Sequence, residues 1–254
     1  MPESLSQSAR RQLQGSLRAL QRPELVPYAR FDISGTERIP REGPVIVVIN
    51  HRSYFDGTAL SLALARVPRT FRFLGKREVF QPAPVGALMR FYGGIPVDRG
   101  TGSDEPLEEA IAALRAGGAV WLAPQGTIPR GPAFFDPELK GRWGAARLAH
   151  ATRAPVFPVG LWGTERVWPR NARLPRVNLV SPPQVTVRVG PEVALGYDDL
   201  DADTKRIMRA IAAQLPVEAK VRREPTQEEL ARTYPPGYRG DPAREATRRP
   251  GRDI

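Results

Sequence analysis

The chain contains no cysteine and has only two histidines among its 254 residues. Without cysteine it can form no disulfide, no iron–sulfur cluster, no cysteine-ligated zinc site and no thiol nucleophile, which fits a reducing compartment. Two histidines that lie far apart in sequence, with no cluster of carboxylates around them, also make a metal hydrolase a poor explanation. We therefore expect neither a metal ion nor another bound cofactor.

Long hydrophobic runs are missing as well. A helix that crosses a bilayer needs about 20 mostly apolar residues, whereas the longest apolar run here, 44–49, has the length of one strand. The first residues show neither the apolar stretch nor the cleavage pattern of a signal peptide. The sequence therefore predicts a soluble or peripherally attached protein.

Negative charge is scarce relative to positive charge. Lys and Arg number 38 against 27 Asp and Glu, which gives a formal net charge of +11. Such a surplus favours anionic partners, whether phospholipid head groups, phosphorylated substrates or nucleic acid. A nucleic-acid-binding module would interleave aromatic with basic residues on a recognisable nucleic-acid fold. The sequence lacks that pattern, so we expect no nucleic-acid partner.

Hydrophobic periodicity divides the chain into three parts. Residues 1–29 are basic, and leucines recur between positions 5 and 20 at helical spacing. This pattern is typical of an amphipathic helix that rests on an anionic membrane, and equally of a helix docked on the domain. Residues 30–215 carry the apolar strands and helices of one domain. Residues 216–254 are rich in Arg, Glu, Pro and Gly, and they are predicted to form a polar, disordered tail.

The middle part predicts an α/β fold, a single domain with a largely parallel central sheet flanked by helices. Its clearest element is 45–49, a continuous β-branched run typical of a strand buried on both faces. Further strands are predicted at 70–74, 119–123, 156–161, 177–180 and 185–189, and helices at 56–65, 106–116, 142–153 and 201–215, the last capped by Asp201 or Asp203.

His51 and Asp56 come directly after the strand at 45–49. Ligands of open α/β sheets bind beyond the carboxyl ends of the strands, so a histidine here can meet a substrate. A turn can fold the carboxylate back onto the imidazole, keeping one ring nitrogen protonated and leaving the other as a base. The nucleophile could then be a hydroxyl of the substrate. The spacing also allows a structural turn residue followed by a helix N-cap.

Other polar residues fall at the ends of predicted extended segments. Arg99 ends the segment 93–99, the sequence Ala-Pro-Gln-Gly-Thr at 123–127 follows a strand, and Gly160 ends the apolar segment 154–160. If these ends share one edge of the sheet, a base, an arginine for phosphate and backbone donors converge there.

Taken in order, these blocks resemble those of the PlsC-like glycerolipid acyltransferases, in the 1-acylglycerol-3-phosphate O-acyltransferase superfamily. The resemblance spans about residues 30–195. Four blocks carry it: Asn-His-x4-Asp at Asn50, His51 and Asp56; a glycine-led stretch ending in arginine at 94–99; Pro-Glu-Gly-Thr at 124–127, with Gln125 in place of the glutamate; and an apolar block around a proline at 156–159.

The resemblance implies transfer of an acyl group from acyl-CoA or acyl-carrier protein to the free hydroxyl of 1-acylglycerol-3-phosphate, which makes phosphatidic acid in phospholipid synthesis. It implies no cofactor beyond that co-substrate. The site residues it implies are His51 as the base, Asp56 as its orienter, and Arg99, Gln125, Gly126, Thr127 and Lys76 as ligands of the acceptor, with Arg130 in place of the arginine that the family has directly after Gly-Thr.

Gln125 departs from the family pattern, because glutamine keeps the size and the carbonyl of glutamate but loses its charge. An acyltransferase for another lipid or glycolipid hydroxyl, or a catalytically silent lipid-binding relative, therefore stays open. Lys140 and Arg142 are further cationic candidates. Because the implied substrates are amphiphiles, we expect peripheral binding to the cytoplasmic face of the cell membrane through the basic segment 8–22 and surface arginines.

Overall fold

The computed structural model describes residues 28–97 and 107–239. The predicted N-terminal helix, Arg99 and the last residues of the predicted tail lie outside these ranges. Within them, seven strands form one sheet: β1 (Arg30–Ser34), β2 (Val45–Ile49), β3 (Phe71–Lys76), β4 (Gly94–Val97), β5 (Ala119–Leu122), β6 (Val156–Trp162) and β7 (Gln184–Val189).

Helices and short 3-10 turns connect these strands. The helices are α1 (Asp56–Leu64), α2 (Ala83–Phe91), α3 (Glu108–Arg115), α4 (Gly144–Thr152), α5 (Thr164–Val167), α6 (Leu200–Ala213) and α7 (Gln227–Arg232). The 3-10 turns of the described chain are Thr36–Arg38, Arg77–Phe80, Gly131–Phe134 and Val217–Ala219. None of the helices in these ranges has the length and apolar character that a membrane crossing requires.

The strands are arranged in the order β1-β7-β6-β2-β5-β3-β4. Every neighbouring pair is parallel except β6 and β7, which run antiparallel. The predicted fold, an α/β domain with a largely parallel sheet flanked by helices, is therefore confirmed. Because β2, β3, β5 and β6 are parallel to one another, the residues that follow them meet at one edge of the sheet, which we call the carboxyl edge.

The central strand β2 explains why an uninterrupted apolar sequence is needed here. All five of its side chains are buried, and alternate side chains of a strand point to opposite faces. Val45 and Val47 pack with Leu60 of α1 on one face. Ile46 and Val48 pack on the other face with α3, α4 and α6, whose contributions include Leu114, Leu148, Ile207 and Ile211.

Several local predictions differ from the structure. The predicted strand at 177–180 is wrong, because this stretch is an exposed loop that pairs with no strand of the described sheet. The helix α6 begins at Leu200 and is capped by Asp199, whose side chain accepts from the backbone N–H groups of Asp201 and Ala202. Neither Asp201 nor Asp203 is its cap, and β1 and α2 were not predicted.

The first part of the predicted tail has regular structure. The helix α7 begins with a capping box in which Thr226 and Glu229 satisfy each other's backbone N–H groups. Thr233 is buried, and its hydroxyl accepts from the backbone N–H of Gly131 at 2.7 Å. Over 216–239 the structure therefore differs from the prediction of disorder, because helix capping and this tertiary contact offset the lack of an apolar face.

Candidate active site

The site begins where β2 ends. The side chain of Asn50 is buried, donates to the carbonyl of Leu161 at 2.8 Å and accepts from its N–H at 2.7 Å. These two bonds tie the end of β2 to the end of β6. The next residue, His51, therefore leaves the sheet from a fixed position at the carboxyl edge.

Asp56 organises the turn that follows. Its Oδ2 accepts from the backbone N–H groups of Arg52 at 2.6 Å and Ser53 at 2.8 Å, and it lies 2.7 Å from Nδ1 of His51. The N-cap of α1 is Phe55, so Asp56 is the first helical residue rather than the cap. The carboxylate thus holds both the turn and the imidazole, and the simpler alternative of a helix cap is wrong.

The hydrogen bond to Asp56 sets the tautomer of His51. A carboxylate can only accept, so Nδ1 carries the proton and Nε2 keeps its lone pair. The Asp56 side chain is 1% exposed, whereas the His51 side chain is 30% exposed and lines a cavity. A buried carboxylate behind a partly exposed imidazole is the arrangement in which the ring can accept a proton and be stabilised as imidazolium.

Thr164 completes the support of the carboxylate. Its hydroxyl, fully buried at the start of α5, donates to Oδ1 of Asp56 at 2.6 Å. The sequence gives no indication of this residue, because it lies 108 positions beyond Asp56 and no local pattern connects the two. Both carboxylate oxygens therefore have donors, which fixes the plane of Asp56 and with it the position of the imidazole.

Gln125 has a defined role beside His51. Its Oε1 accepts from the backbone N–H of His51 at 2.6 Å. A glutamate carboxylate could accept the same bond, so this contact does not depend on the charge that the glutamine lacks. Gly126 follows in a tight turn at φ +70°, and an added Cβ would lie 3.0 Å from Cδ of Arg142.

A cavity of 820 Å³ opens beside this turn. His51 and Asp56 lie in its wall, together with Gly126, Thr127 and Lys76 from the predicted site. Most of the wall is apolar and comes from β3, β5 and the chain near α2. These apolar residues include Phe71, Phe73, Leu74, Leu88, Met89, Trp121 and Leu122. The arrangement can hold a hydrocarbon chain next to an imidazole base.

Two arginines belong to the wall of this cavity. Arg142 reaches it from the loop just before α4, where its backbone N–H donates to the carbonyl of Pro124 at 2.8 Å. Arg170 is buried, and its guanidinium donates to the carbonyl of Ile128. From the sequence, Arg142 is only a further cationic candidate. Arg170 is not predicted, because it lies in a loop without a recognisable motif.

The other predicted cations are placed differently. Lys76 lines the cavity but is half exposed, and its Nζ lies 2.8 Å from a carboxylate oxygen of Glu78. Arg130 is not one of the described residues that line the cavity, and its guanidinium stacks on the ring of Tyr238 at 4.8 Å. Arg99 lies outside the described residues.

Arg52 keeps the loops around the site in place. Its guanidinium lies 4.2 Å from the ring centres of both Phe134 and Trp162, and it pairs with Glu165 at 3.2 Å. The residue after His51 therefore joins the 3-10 turn Gly131–Phe134 to the end of β6. Within the described ranges, no group of three or more His, Asp or Glu side chains is placed to hold a metal ion.

A second histidine–aspartate pair lies on the helices of the opposite face of the sheet. Nε2 of His150, on α4, is 2.8 Å from Oδ2 of Asp203 on α6, and Oδ1 of Asp203 accepts from Arg206 at 2.6 Å. Burial alone would raise the pKa of Asp203. Hydrogen bonds from the backbone of Gly196, from His150, from Arg206 and from the backbone of Tyr197 outweigh it and hold that pKa well below its usual range.

Comparison with known proteins identifies the fold and the family. The fold is similar to the crystal structure of the 1-acyl-sn-glycerophosphate acyltransferase PlsC from Thermotoga maritima, with a TM-score of 0.57 over 84% of this chain and 83% of that one. The sequence identity is 20%, so this likeness concerns the fold. The profile of the Acyltransferase family matches residues 30–162, just over half of the chain. The chain belongs to the Acyltransferase family, and the resemblance to PlsC-like enzymes is confirmed.

Curated relatives carry a more specific name. The chain is 29% identical over 152 residues to a chloroplastic 1-acyl-sn-glycerol-3-phosphate acyltransferase of Brassica napus, which covers 58% of this chain and 42% of that protein. It is 25% identical over 127 residues to the 1-acyl-sn-glycerol-3-phosphate acyltransferase of Bacillus subtilis, covering 50% and 60%. The chain thus spans about two fifths of the length of the plant relatives that it matches.

Proposed function

We propose that this chain transfers a fatty acyl group from an acyl thioester to the free hydroxyl of 1-acylglycerol-3-phosphate and so makes phosphatidic acid for phospholipid synthesis. One observation carries the proposal: the His51 imidazole, held through Nδ1 by buried Asp56, lies in the wall of a largely apolar cavity of 820 Å³. The names of the curated relatives point to the same reaction.

The chemistry follows from the free Nε2 of His51. It takes the proton of the acceptor hydroxyl as the oxygen attacks the thioester carbonyl, forming a new C–O bond. The tetrahedral intermediate then collapses, the C–S bond breaks, and the imidazolium returns the proton to the leaving thiolate. Asp56 stabilises the imidazolium between these steps and keeps the ring in the tautomer that can begin the next cycle.

The acyl chain and the acceptor phosphate contact different parts of the cavity. The aromatic and aliphatic wall formed by β3, β5 and α2 accommodates an acyl chain. Arg142 and Arg170 supply positive charge in the same wall, and arginine pairs well with phosphate because its donors form a planar fork. We assign the acceptor phosphate to these two arginines, with Arg99 and Lys76 as further candidates.

The proposed reaction also indicates where the enzyme acts, namely at a membrane surface. A lysophospholipid acceptor and its product reside in a bilayer, and a net charge of +11 favours anionic lipid. We therefore place the enzyme peripherally on the cytoplasmic face of the membrane. Acyl-CoA and acyl-carrier protein both fit the chemistry, since either delivers a thioester.

The experiment measures thiol release from acyl-CoA with a thiol-reactive dye. The chain itself contributes no thiol background because it has no cysteine. Turnover that requires 1-acylglycerol-3-phosphate, and that falls strongly when monoacylglycerol replaces it, supports the proposal. Replacing acyl-CoA by acyl-carrier protein identifies the donor. Absence of turnover with both donors on this acceptor, or turnover on a glycolipid alone, contradicts it.

A further inference from the structure

The connection from α5 to β7 carries an exposed apolar patch. Leu174, Val177, Leu179 and Val180 all project from it, with Leu174 74% and Val180 98% exposed. Exposed aliphatic residues normally occur singly, and a contiguous group of them marks an interaction surface. We call residues 173–180 the apolar loop.

Basic residues alternate with the aliphatic ones in this loop. Arg173 and Arg176 are both exposed, and no acidic residue occurs between positions 171 and 183. Aliphatic side chains suit the hydrocarbon boundary of a bilayer, while arginine suits the phosphates just above it. The combination therefore fits an anionic lipid surface.

The loop begins beside the candidate active site. Trp168, five positions before the first residue of the loop, lines the cavity, and its carbonyl accepts from the hydroxyl of Ser53 at 2.6 Å. Arg170 lines the same cavity. A membrane in contact with the loop would therefore lie close to the segment 168–170, which forms part of the cavity wall.

The loop ends beside the place where the N-terminal sequence enters the fold. The carbonyl of Pro183 accepts from the backbone N–H of Arg30, the first residue of β1, at 2.9 Å. The basic sequence at 8–22, with its helical leucine spacing, reaches the domain through Tyr28 and this strand. Two features with the composition of membrane contacts thus meet the domain at the same edge.

The backbone of the loop is fixed before any partner arrives. Arg176 donates its N–H to the carbonyl of Val167 at 2.7 Å, and the Trp168 indole donates to the carbonyl of Ala172 at 3.2 Å. The side chain of Asn178 accepts from the N–H groups of Val180 and Ser181 at 3.1 and 2.9 Å. Such a loop loses little conformational entropy when its side chains are buried by a partner.

We propose that the apolar loop is a membrane-docking surface, which inserts its aliphatic side chains into an anionic bilayer and holds the cavity wall at Trp168 and Arg170 close to it. The choice of a bilayer rests on the proposed function, because that function gives the cavity a lipid substrate. The loop would then supply a contact separate from the N-terminal segment.

The absence of cysteine allows a direct test. A single Val180→Cys substitution in the full chain, labelled with an environment-sensitive nitrobenzoxadiazole dye, reports on the loop alone. An Arg115→Cys variant places the same dye at the end of α3, where the chain approaches the start of β5 at the opposite edge of the sheet. Both are mixed with vesicles of equimolar phosphatidylcholine and phosphatidylglycerol, and with vesicles of phosphatidylcholine alone.

We expect the dye at Val180→Cys to brighten and shift to the blue on the anionic vesicles, with a smaller response on neutral ones and none at Arg115→Cys. Replacing Leu174, Val177, Leu179 and Val180 together by serine should weaken vesicle binding by roughly tenfold, because most of the inserted apolar surface is lost. A matched control replaces Val217 and Val221, which are also exposed, by serine and should bind as wild type.

The inference is overturned if the chain does not bind the vesicles, if it binds without a response at Val180→Cys, or if both serine variants lose binding equally. Turnover of a short-chain, water-soluble acceptor and acyl-CoA without vesicles tests the proposed function separately. Turnover there without loop insertion overturns the docking surface alone. Absence of turnover there contradicts the proposed function, whatever the dye reports.

Discussion

His51 and His150 are the two histidines of the chain, and each lies within 2.8 Å of a carboxylate oxygen of a buried aspartate. His51 engages Asp56 through Nδ1, and the ring lies in the wall of the cavity. His150 engages Asp203 through Nε2 and packs against the ring of Tyr197. It is not one of the described residues that line the cavity.

The two aspartates also differ in what else they hold. Asp56 accepts from the backbone N–H groups of Arg52 and Ser53, in the turn that follows His51, so its bonds position the ring of the proposed base. Asp203 joins α4, α6 and the loop before α6 through His150, Arg206 and the N–H groups of Gly196 and Tyr197. The distance between an imidazole and a carboxylate therefore does not distinguish the proposed base from a structural pair; the groups around each pair do.

The strongest test of this contrast removes each imidazole in turn. His51→Ala should lower kcat by about a thousandfold or more, because the acceptor hydroxyl loses its general base. His150→Ala should leave kcat within about threefold of wild type while it lowers thermal stability, since a buried carboxylate loses one donor. Thiol release and thermal unfolding, measured on both variants, separate the two roles. Equal loss of activity in both would contradict the assignment.

The next largest effect on kcat should come from substituting Asp56. Asp56→Asn should lower kcat by roughly a hundredfold or more with little change in KM, because an amide can donate to Nδ1 and favour the wrong tautomer. Asp203→Asn is the matched control and should retain kcat. A pH profile of kcat for Asp56→Asn, compared with wild type, shows whether the titration of the base has moved. An unchanged kcat in Asp56→Asn would contradict the role of Asp56 in orienting His51.

Substitution of Asp203 should affect the free energy of unfolding and not kcat. Asp203→Asn should lower the free energy of unfolding by about 3 kcal/mol, because buried donors lose a charged acceptor. The pKa of Asp203 is depressed in the folded state, so its contribution is present above the ordinary carboxyl pKa of about 4 and is lost as the pH falls below it. Chemical unfolding followed across this range should therefore show the difference between wild type and variant shrinking in acid. If the difference in unfolding free energy between wild type and Asp203→Asn stayed constant across this pH range, the stabilising role of the ionised Asp203 carboxylate would be contradicted.

The smallest effect concerns the neutral residue beside His51. Gln125→Glu should keep kcat within about threefold, because a carboxylate oxygen can accept the same N–H. Gln125→Leu should lower kcat by roughly tenfold, since the backbone N–H that fixes His51 loses its acceptor. Steady-state thiol release compares the two. A large gain in Gln125→Glu would show that the wild-type glutamine limits the reaction.

The sequence indicates which residues lie at the carboxyl edge, because the signals for them are local. The β-branched run of β2, the five-residue spacing from His51 to Asp56 and the turn at Gln125 each lie within one short stretch. Their meeting at one edge follows from parallel strands. The overall fold and most of the cavity-lining candidates were accessible in this way.

The rest depends on contacts between distant residues. Thr164 and Arg170 carry no local pattern, and only the fold brings them to the site. The spacing of apolar residues at 177–180 is typical of a strand, but this stretch finds no partner in the described sheet. Asp203 is a plausible helix cap by sequence, yet its carboxylate is taken by His150 and Arg206, and Asp199 caps α6 instead.

The pairing of β1 has a consequence for synthesis of the chain. This strand pairs with β7 alone in the described sheet, with Arg30 opposite Gln184 and Ser34 opposite Arg188. About 150 residues must leave the ribosome between the two, which takes on the order of ten seconds at ordinary translation rates. The strand that joins the N-terminal sequence to the carboxyl edge is therefore made first and paired only after β7 has emerged.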